Sequence, residues 1–241
     1  MKLLMIPAIY VSPYYPYQQS DTVGKAIVLI LILFSIFTWT IMIDKGILLY
    51  RAKRNSLLFS WLFREKKFPL SLYRKSMEIK GPVARVYQAG ADELLAFYGI
   101  PLEFAEQYGT QIPIKKLSTA QIETLRSTLD RAVADQIVRL EDKMGFLSTA
   151  VSVSPLLGLF GTVWGIMMAF CAMAIHGKAE INAMAPGISG ALLTTVVGLV
   201  VAIPSLIGYN LLSNTIRQMI VTMDNFVEEF MAKVKLEQLG E

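Results

Sequence analysis

Two threonines, Thr162 and Thr195, are the residues of this sequence whose type and position suggest chemistry. Each lies in a long segment that contains no Asp, Glu, Lys or Arg. A threonine hydroxyl has one hydrogen to donate and two lone pairs that accept, but it does not ionise near neutral pH. These side chains are therefore suited to hydrate, orient or pass on a proton that another group holds. If protons move here, a partner protein must supply the acid.

Other catalytic and ligand-binding patterns are not found in the sequence. The glycines Gly158, Gly161 and Gly165 of GLFGTVWG are not followed by Gly-Lys-Ser/Thr, so a nucleotide-binding loop is not indicated. His176 is the single histidine and Cys171 the single cysteine, which argues against a metal cluster and rules out an intramolecular disulfide. We expect no metal, no cofactor and no enzymatic activity.

Small residues recur every three or four positions along the two segments that hold the threonines. Lipid provides little hydrophobic drive for helices to associate, so close backbone approach and interhelical hydrogen bonds must contribute instead. Plain helix packing and contact with a partner are both open interpretations of such stripes. The candidates for helix packing or partner contact are Ser152, Pro155, Gly158, Gly165, Ala191, Gly198 and Ala202.

The composition indicates that these segments cross a membrane. Hydrophobic residues make up 54% of the 241 residues and charged residues 17%, which is far more apolar than a soluble domain. Roughly 20 helical residues are needed to cross a bilayer, and three segments are predicted to do so: 24–43, 144–176 and 186–212. The net charge of +4 comes from basic residues beside these segments, which favours a membrane surface over a nucleic acid.

The basic residues also predict the orientation of the chain. Lysines and arginines cluster after the first span, and cytoplasmic flanks carry such an excess. We therefore expect a periplasmic arm at 1–23, a cytoplasmic helical loop at 44–143, a periplasmic loop at 177–185 and a cytoplasmic C-terminal helix at 213–241. Residues 3–11 are apolar, but PYYPYQQ follows where small residues precede a signal-peptide cleavage site, so an uncleaved arm is favoured.

The helices are predicted to continue beyond the membrane. From Ser118, a plausible N-cap, apolar residues recur at helical spacing through Leu140 and lead directly into the second span. A similar pattern follows the third span from Ile216 to Phe230. Turns are indicated at Gly81-Pro82, at 99–101 and at Pro113. The predicted fold is an all-α integral membrane protein whose second and third transmembrane helices extend into the cytoplasm.

The segments SPLLGLFGTVWGIM at 154–167 and APGISGALLTTVVGLVVAIPSLIGYN at 185–210 resemble the signature helices of the TolQ/ExbB/MotA proton channel family. The resemblance extends over about residues 141–230. Three spans resemble the TolQ and ExbB branches, since MotA has four, and MDNFVEEF at 223–230 is more similar to the TolQ branch.

This resemblance implies a pentamer in the bacterial inner membrane around two copies of a TolR/ExbD-like partner, each with one transmembrane helix that carries an aspartate. Proton-motive force would act through that aspartate on a periplasm-spanning protein similar to TolA or TonB. The pore threonines of the family fall on Thr162 and Thr195. Thr194 matches a position that is commonly alanine and receives no role, and Gly190 stands where a glutamate is common. A passive homo-oligomeric membrane scaffold is the alternative.

Overall fold

The computed structural model describes residues 14–107, 116–176 and 181–239. In these ranges the chain forms seven α-helices and one 3₁₀ helix. In chain order the elements are α1 (Tyr14–Gln19), α2 (Thr22–Arg64), α3 (Tyr73–Glu78), α4 (Pro82–Tyr98), the 3₁₀ helix (Leu102–Gln107), α5 (Thr119–Glu141), α6 (Met144–His176) and α7 (Ile181–Leu239). The predicted all-α class is confirmed.

The helices divide into two compact units, each built from separate stretches of the chain. The first, here called the membrane unit, comprises residues up to 43 together with 143–211. The second, here called the extramembrane unit, comprises residues 44–142 together with 212 to the end.

Three of the described helices are long and apolar enough to cross a membrane, namely α2, α6 and α7. In the membrane unit α2 packs against the other two: Ile27 and Leu31 of α2 are buried with Val201 of α7. At another level Phe34 of α2 meets Phe146 of α6, with ring centroids 6.0 Å apart. Many apolar side chains on the opposite faces stay exposed, among them Leu29, Ile36, Leu156, Phe160, Val196 and Val200. Such faces suit lipid or further protein chains.

The structure differs from the sequence prediction at the start of the second span. The helical stripe that begins after Ser118 is interrupted before the second span, because α5 ends at Glu141 and α6 begins at Met144. Between them Lys143 adopts a φ of 63°, in the left-handed region that ends a helix. Helix α6 has the bounds of the predicted second span, whereas α2 and α7 begin earlier and end later than the predicted first and third spans. Pro186 and Gly187, at the start of the predicted third span, lie inside α7.

Several sequence predictions fall outside the described residues. These are residues 1–13 of the predicted periplasmic arm, the turn at Pro113 and residues 177–180 of the predicted hairpin loop.

An aromatic cluster forms the core of the extramembrane unit. Its members are fully or almost fully buried and come from α2, α4 and α7: Phe59, Phe63, Tyr87, Phe226 and Phe230. The Phe63 and Phe226 ring centroids lie 4.9 Å apart, and those of Phe59 and Tyr87 lie 5.2 Å apart. Each such pair contributes about 0.5–1.5 kcal/mol beyond its buried area. The cluster therefore ties the last part of α7 to helices formed much earlier in the chain.

Polar groups at the helix ends of this unit are satisfied by specific partners. The predicted N-cap of α5 is confirmed, since Ser118 and Gln121 form a reciprocal capping box. At the other end of α5 the Lys45 Nζ donates to the carbonyl oxygens of Arg139 at 3.3 Å and Leu140 at 3.1 Å. Lys233 of α7 donates to the Lys66 carbonyl at 2.6 Å, just beyond α2. A cation near the last carbonyls of a helix also interacts favourably with the helix dipole.

One carboxyl group, that of Glu237 near the end of α7, is buried in this unit. The residue is 7% exposed, and its Oε1 has no hydrogen-bond partner in the described part of the chain. Its Oε2 accepts a long hydrogen bond of 3.4 Å from the Tyr98 hydroxyl. Burial raises the pKa of Glu237 to about 7, an effect that the Tyr98 hydrogen bond opposes in part.

Glu237→Gln is expected to remove part of the pH dependence of stability. Because the pKa is raised in the folded state, this carboxyl contributes stability at low pH that is lost as pH rises to about 7. The loss between pH 5.5 and 8.5 amounts to about 2 kcal/mol. Thermal unfolding in detergent at the two pH values should show a smaller change for the variant. Glu123→Gln, at an exposed position of α5, is the control, and equal pH dependence in all three proteins would contradict the prediction.

Candidate functional site

The two helices that carry the predicted threonines meet along a seam of glycines. A Cβ added to Gly158 of α6 would lie 2.8 Å from the Thr194 carbonyl oxygen and 3.0 Å from the Thr195 Cα. A Cβ on Gly198 of α7 would lie 2.6 Å from the Ser154 carbonyl oxygen. Real Cβ atoms are not found so close to backbone atoms, so α6 and α7 approach to a distance that only glycine permits at these positions.

Three threonine hydroxyls gather at this seam around two backbone carbonyl groups. The Gly158 carbonyl oxygen lies 3.2 Å from Thr162 Oγ1, 3.0 Å from Thr194 Oγ1 and 3.1 Å from Thr195 Oγ1. The Ala191 carbonyl oxygen lies 3.0 Å from Thr162 Oγ1 and 2.7 Å from Thr194 Oγ1. The hydroxyls of Thr162 and Thr195 are also hydrogen-bonded to each other across the two helices. The structure thus brings the two predicted threonines into direct contact.

This cluster has more acceptors within reach than hydrogens to donate. Each hydroxyl carries one hydrogen, whereas Thr162 has the Gly158 carbonyl, the Ala191 carbonyl and the Thr195 hydroxyl within hydrogen-bonding distance. The hydrogen bonds can therefore be redistributed by rotation about the C–O bonds, without movement of the helices. Thr162 and Thr195 are half-buried, so one side of the pair remains open to another chain or to water.

The other predicted residues differ in how they relate to the seam. Gly165 and Ala191 face each other, since a Cβ on Gly165 would lie 2.7 Å from the Ala191 Cβ. Ala202 is buried at 6% exposure, and Pro155 is half-buried inside α6. Ser152 is exposed, and its hydroxyl donates to the Ser148 carbonyl of its own helix at 3.2 Å. Ser152 is therefore not part of the seam.

Thr194 was given no role by the sequence, yet it is the most enclosed member of the hydroxyl cluster. Its side chain is fully buried and packs against Gly161, where a Cβ would overlap the threonine side chain. Its hydroxyl bonds both Gly158 of the facing helix and Ala191 of its own. The sequence feature that could have indicated this place for Thr194 is its position next to Thr195, because two neighbouring hydroxyls on a helix can reach one carbonyl group of a second helix.

Asp21 is a second residue that sequence reasoning missed. One of its carboxylate oxygens accepts from the Gly24 backbone N–H at 2.8 Å, which caps the start of α2, and the other accepts from Trp164 Nε1 of α6 at 2.7 Å. It is the one carboxylate in the described part of the membrane unit. An aspartate three residues before a glycine, directly ahead of an apolar helix, is an N-cap pattern that marks this position in the sequence.

Asp21 lines a cavity of about 180 Å³ whose other walls are mainly glycine and alanine. The cavity reaches Gly161 and Ala191, which are next to the hydroxyl cluster, and it includes Gly190. A Cβ on Gly190 would lie 2.6 Å from the Ser20 Oγ and 3.0 Å from the Pro16 carbonyl oxygen. The chain at Pro16 and Ser20 thus occupies the space that a side chain at position 190 would need.

These features define a class of protein: a helical membrane protein whose closely packed hairpin carries hydroxyls in a segment without charged side chains. Residues 79–225 match the model of the MotA/TolQ/ExbB proton channel family. The chain belongs to this family.

Curated relatives come from two branches of the family. The Tol-Pal system protein TolQ of Haemophilus influenzae is 31% identical over 212 residues, which cover 88% of this chain and 89% of that protein. TolQ of Pseudomonas aeruginosa is 30% identical over 217 residues, covering 89% and 88%. The biopolymer transport protein ExbB of Pseudomonas putida is 32% identical over 205 residues, covering 85% of this chain and 58% of that protein.

Family membership establishes the general role of the chain. It is a proton-channel motor subunit of the type found in Tol-Pal and TonB-like systems, in the bacterial inner membrane, and it is not an enzyme.

Proposed function

We propose that five copies of this chain form a ring around the transmembrane helices of a TolR/ExbD-like partner, and that the ring couples proton-motive force to work on a TolA/TonB-like periplasm-spanning protein. The similarity to TolQ and ExbB supports this assignment. In this proposal the N-terminus and the 177–185 loop are periplasmic, while residues 44–143 and 213–241 are cytoplasmic, in keeping with the basic residues that follow the first span.

The hydroxyl cluster is the observation that carries the proposal. Transmembrane proton transfer requires a group that titrates, and the described segments 26–43, 144–175 and 186–211 contain no Asp, Glu, Lys or Arg. The partner supplies the aspartate, and Thr162 and Thr195 face it from the ring. Burial favours the protonated, uncharged form of such an aspartate, and hydroxyls that can redistribute their hydrogen bonds accommodate both forms.

The proposal also includes a role for Asp21, which lies at the outer end of the first span. Gly190 leaves no acidic side chain where the family commonly has a glutamate, and Asp21 lines the same cavity. We assign to Asp21 the task of attracting a proton or hydronium ion into this cavity, which reaches the residues next to the hydroxyl cluster. An aspartate here acts before the partner's aspartate in the proton path, not in place of it.

Thr195→Val is expected to lower proton uptake roughly tenfold or more without dissociating the complex, since valine matches threonine in shape and lacks the hydroxyl. The measurement is potential-driven proton uptake by proteoliposomes that contain the chain and its single-span partner. Thr195→Ser restores the hydroxyl and should restore most of the uptake.

The matched control is Thr149→Val on the facing helix α6, because Thr149 is exposed and donates to the Gly145 carbonyl of its own helix at 2.9 Å. Normal uptake by an assembled Thr195→Val complex would show that the hydroxyl has no such role. Purification of a homo-oligomer that lacks any aspartate-bearing companion would favour the passive scaffold instead.

A further inference from the structure

The extramembrane unit contains a cavity of about 570 Å³ that the proton pathway does not involve. Its volume is within the range of small-molecule sites. Four basic residues and one acidic residue contribute to its lining: Arg51, Lys80, Arg85, Arg139 and Asp44. None of the four basic side chains forms an ion pair within the described ranges. The lining of the cavity therefore carries a net positive charge that the described residues do not neutralise.

A buried polar side chain also lines this cavity. Gln136 of α5 is 7% exposed and has no hydrogen-bond partner among the residues that the structure describes. Gly81 and Pro82, at the start of the 17-residue helix α4, form another wall. The first turn of a helix is the positive end of its dipole, which favours an anion, while Pro82 itself has no N–H to donate. All three features suit an anion that accepts hydrogen bonds.

The position of the cavity along α2 points to the membrane surface. Asp44 is the first charged residue after the apolar segment of α2, and Arg51 follows about 10 Å further along the helix at 1.5 Å per residue. Ile47 and Leu48 line the same cavity and are 51% and 45% exposed. Apolar and basic side chains thus line the same cavity, next to the residues of α2 that follow its apolar segment.

We propose that this cavity binds the phosphate of an anionic phospholipid. The arginines and the Gln136 amide donate to the phosphate oxygens, while Ile47 and Leu48 contact the start of the acyl chains. Guanidinium groups pair with phosphate in a bidentate manner, and basic pockets beside transmembrane helices bind anionic headgroups in this way. A soluble phosphate would share the polar contacts but would leave the two exposed apolar side chains without a partner.

The test uses the full chain in detergent and measures thermal unfolding as phosphatidylglycerol, phosphatidylcholine or inorganic phosphate is added. We expect phosphatidylglycerol to stabilise the protein saturably, with an apparent affinity at least roughly tenfold above that for phosphatidylcholine. The variant Arg51→Gln/Arg85→Gln/Arg139→Gln should lose this preference. The control Lys67→Gln/Arg74→Gln/Arg131→Gln removes the same charge from exposed positions outside the cavity and should keep it.

Gln136→Met is the second variant, because it removes the amide with little change in shape. It should bind phosphatidylglycerol several-fold more weakly while the lipid-free protein unfolds at a similar temperature, since Gln136 makes no hydrogen bond within the described residues that methionine would remove. Equal stabilisation by both lipids, or an equal loss of affinity in the two triple variants, would overturn the proposal. Stabilisation by inorganic phosphate that matches phosphatidylglycerol would identify a soluble phosphate as the ligand and would likewise overturn it.

Discussion

Gly158→Ala is expected to separate α6 from α7 and to abolish proton uptake. The new methyl group would meet the Thr194 carbonyl oxygen at 2.8 Å and the Thr195 Cα at 3.0 Å, and backbone atoms cannot rotate away as a side-chain end can. Overpacking costs about 1–3 kcal/mol, and rigid neighbours place this site at the upper end. The same displacement moves the Gly158 carbonyl away from the hydroxyls of Thr194 and Thr195 on α7, so activity is lost even if the helix hairpin persists.

The control for this prediction is Gly145→Ala, near the start of the same helix. A Cβ at Gly145 has no atom within 4 Å, and alanine favours the helix over glycine by about 1 kcal/mol. Thermal unfolding and proteoliposome proton uptake are the two measurements. Gly145→Ala should be neutral or stabilising, whereas a Gly158→Ala protein as stable and active as the parent would show that the seam is wider than the structure has it.

Gly190→Glu, which introduces the residue common in the family, is expected to destabilise this protein rather than improve it. The Cβ alone would lie 2.6 Å from the Ser20 Oγ and 3.0 Å from the Pro16 carbonyl oxygen, and the rest of the side chain has to displace the segment that precedes α2. A second carboxylate would also enter the cavity beside Asp21. We expect a loss above the roughly 1–3 kcal/mol of simple overpacking.

Gly187→Ala is the matched control, one turn earlier in α7, since its Cβ would meet the Ala169 Cβ at an ordinary 3.5 Å. Unfolding temperatures at pH 6 and 8 should fall for Gly190→Glu and stay near the parent value for Gly187→Ala. A Gly190→Glu protein that folds normally would contradict the steric argument. Full activity of an Asp21→Asn protein that keeps Gly190 would disprove the idea that Asp21 serves this cavity in place of a glutamate at 190.

The sequence was a sufficient guide to the membrane-spanning helices, because these depend on local composition and spacing. Long uncharged segments have few alternatives to a membrane helix. The contact between the two threonines did not follow from spacing, since it depends on how far α6 and α7 are rotated and shifted against each other. That register is determined by which glycines meet, as Gly158 and Gly198 do, and periodicity alone does not pair them.

Other features depend on contacts between distant parts of the chain. Lys45 and Lys233 donate hydrogen bonds to backbone carbonyl groups that are far away in the sequence. No local pattern distinguishes these two lysines from the other lysines of the chain. The break before α6 lies at Asp142 and Lys143. Neither residue is a glycine or a proline, the residue types that predict the end of a helix from sequence. Asp21 was assigned to an arm because its partner, Trp164, belongs to a different helix.

The aromatic cluster of the extramembrane unit has a consequence for synthesis of the chain. Helix α4, which carries Tyr87, ends at Tyr98, and Phe226 of α7 follows 128 positions later. At roughly 5–20 residues per second, a ribosome needs about 6–26 s to make the intervening chain, including two membrane-crossing helices. During that time Phe63 and Tyr87 have been made but lack the rings of Phe226 and Phe230. The aromatic core is therefore incomplete and accessible to chaperones and proteases during synthesis. The last span has to insert into the bilayer before Phe226 and Phe230 can complete this core.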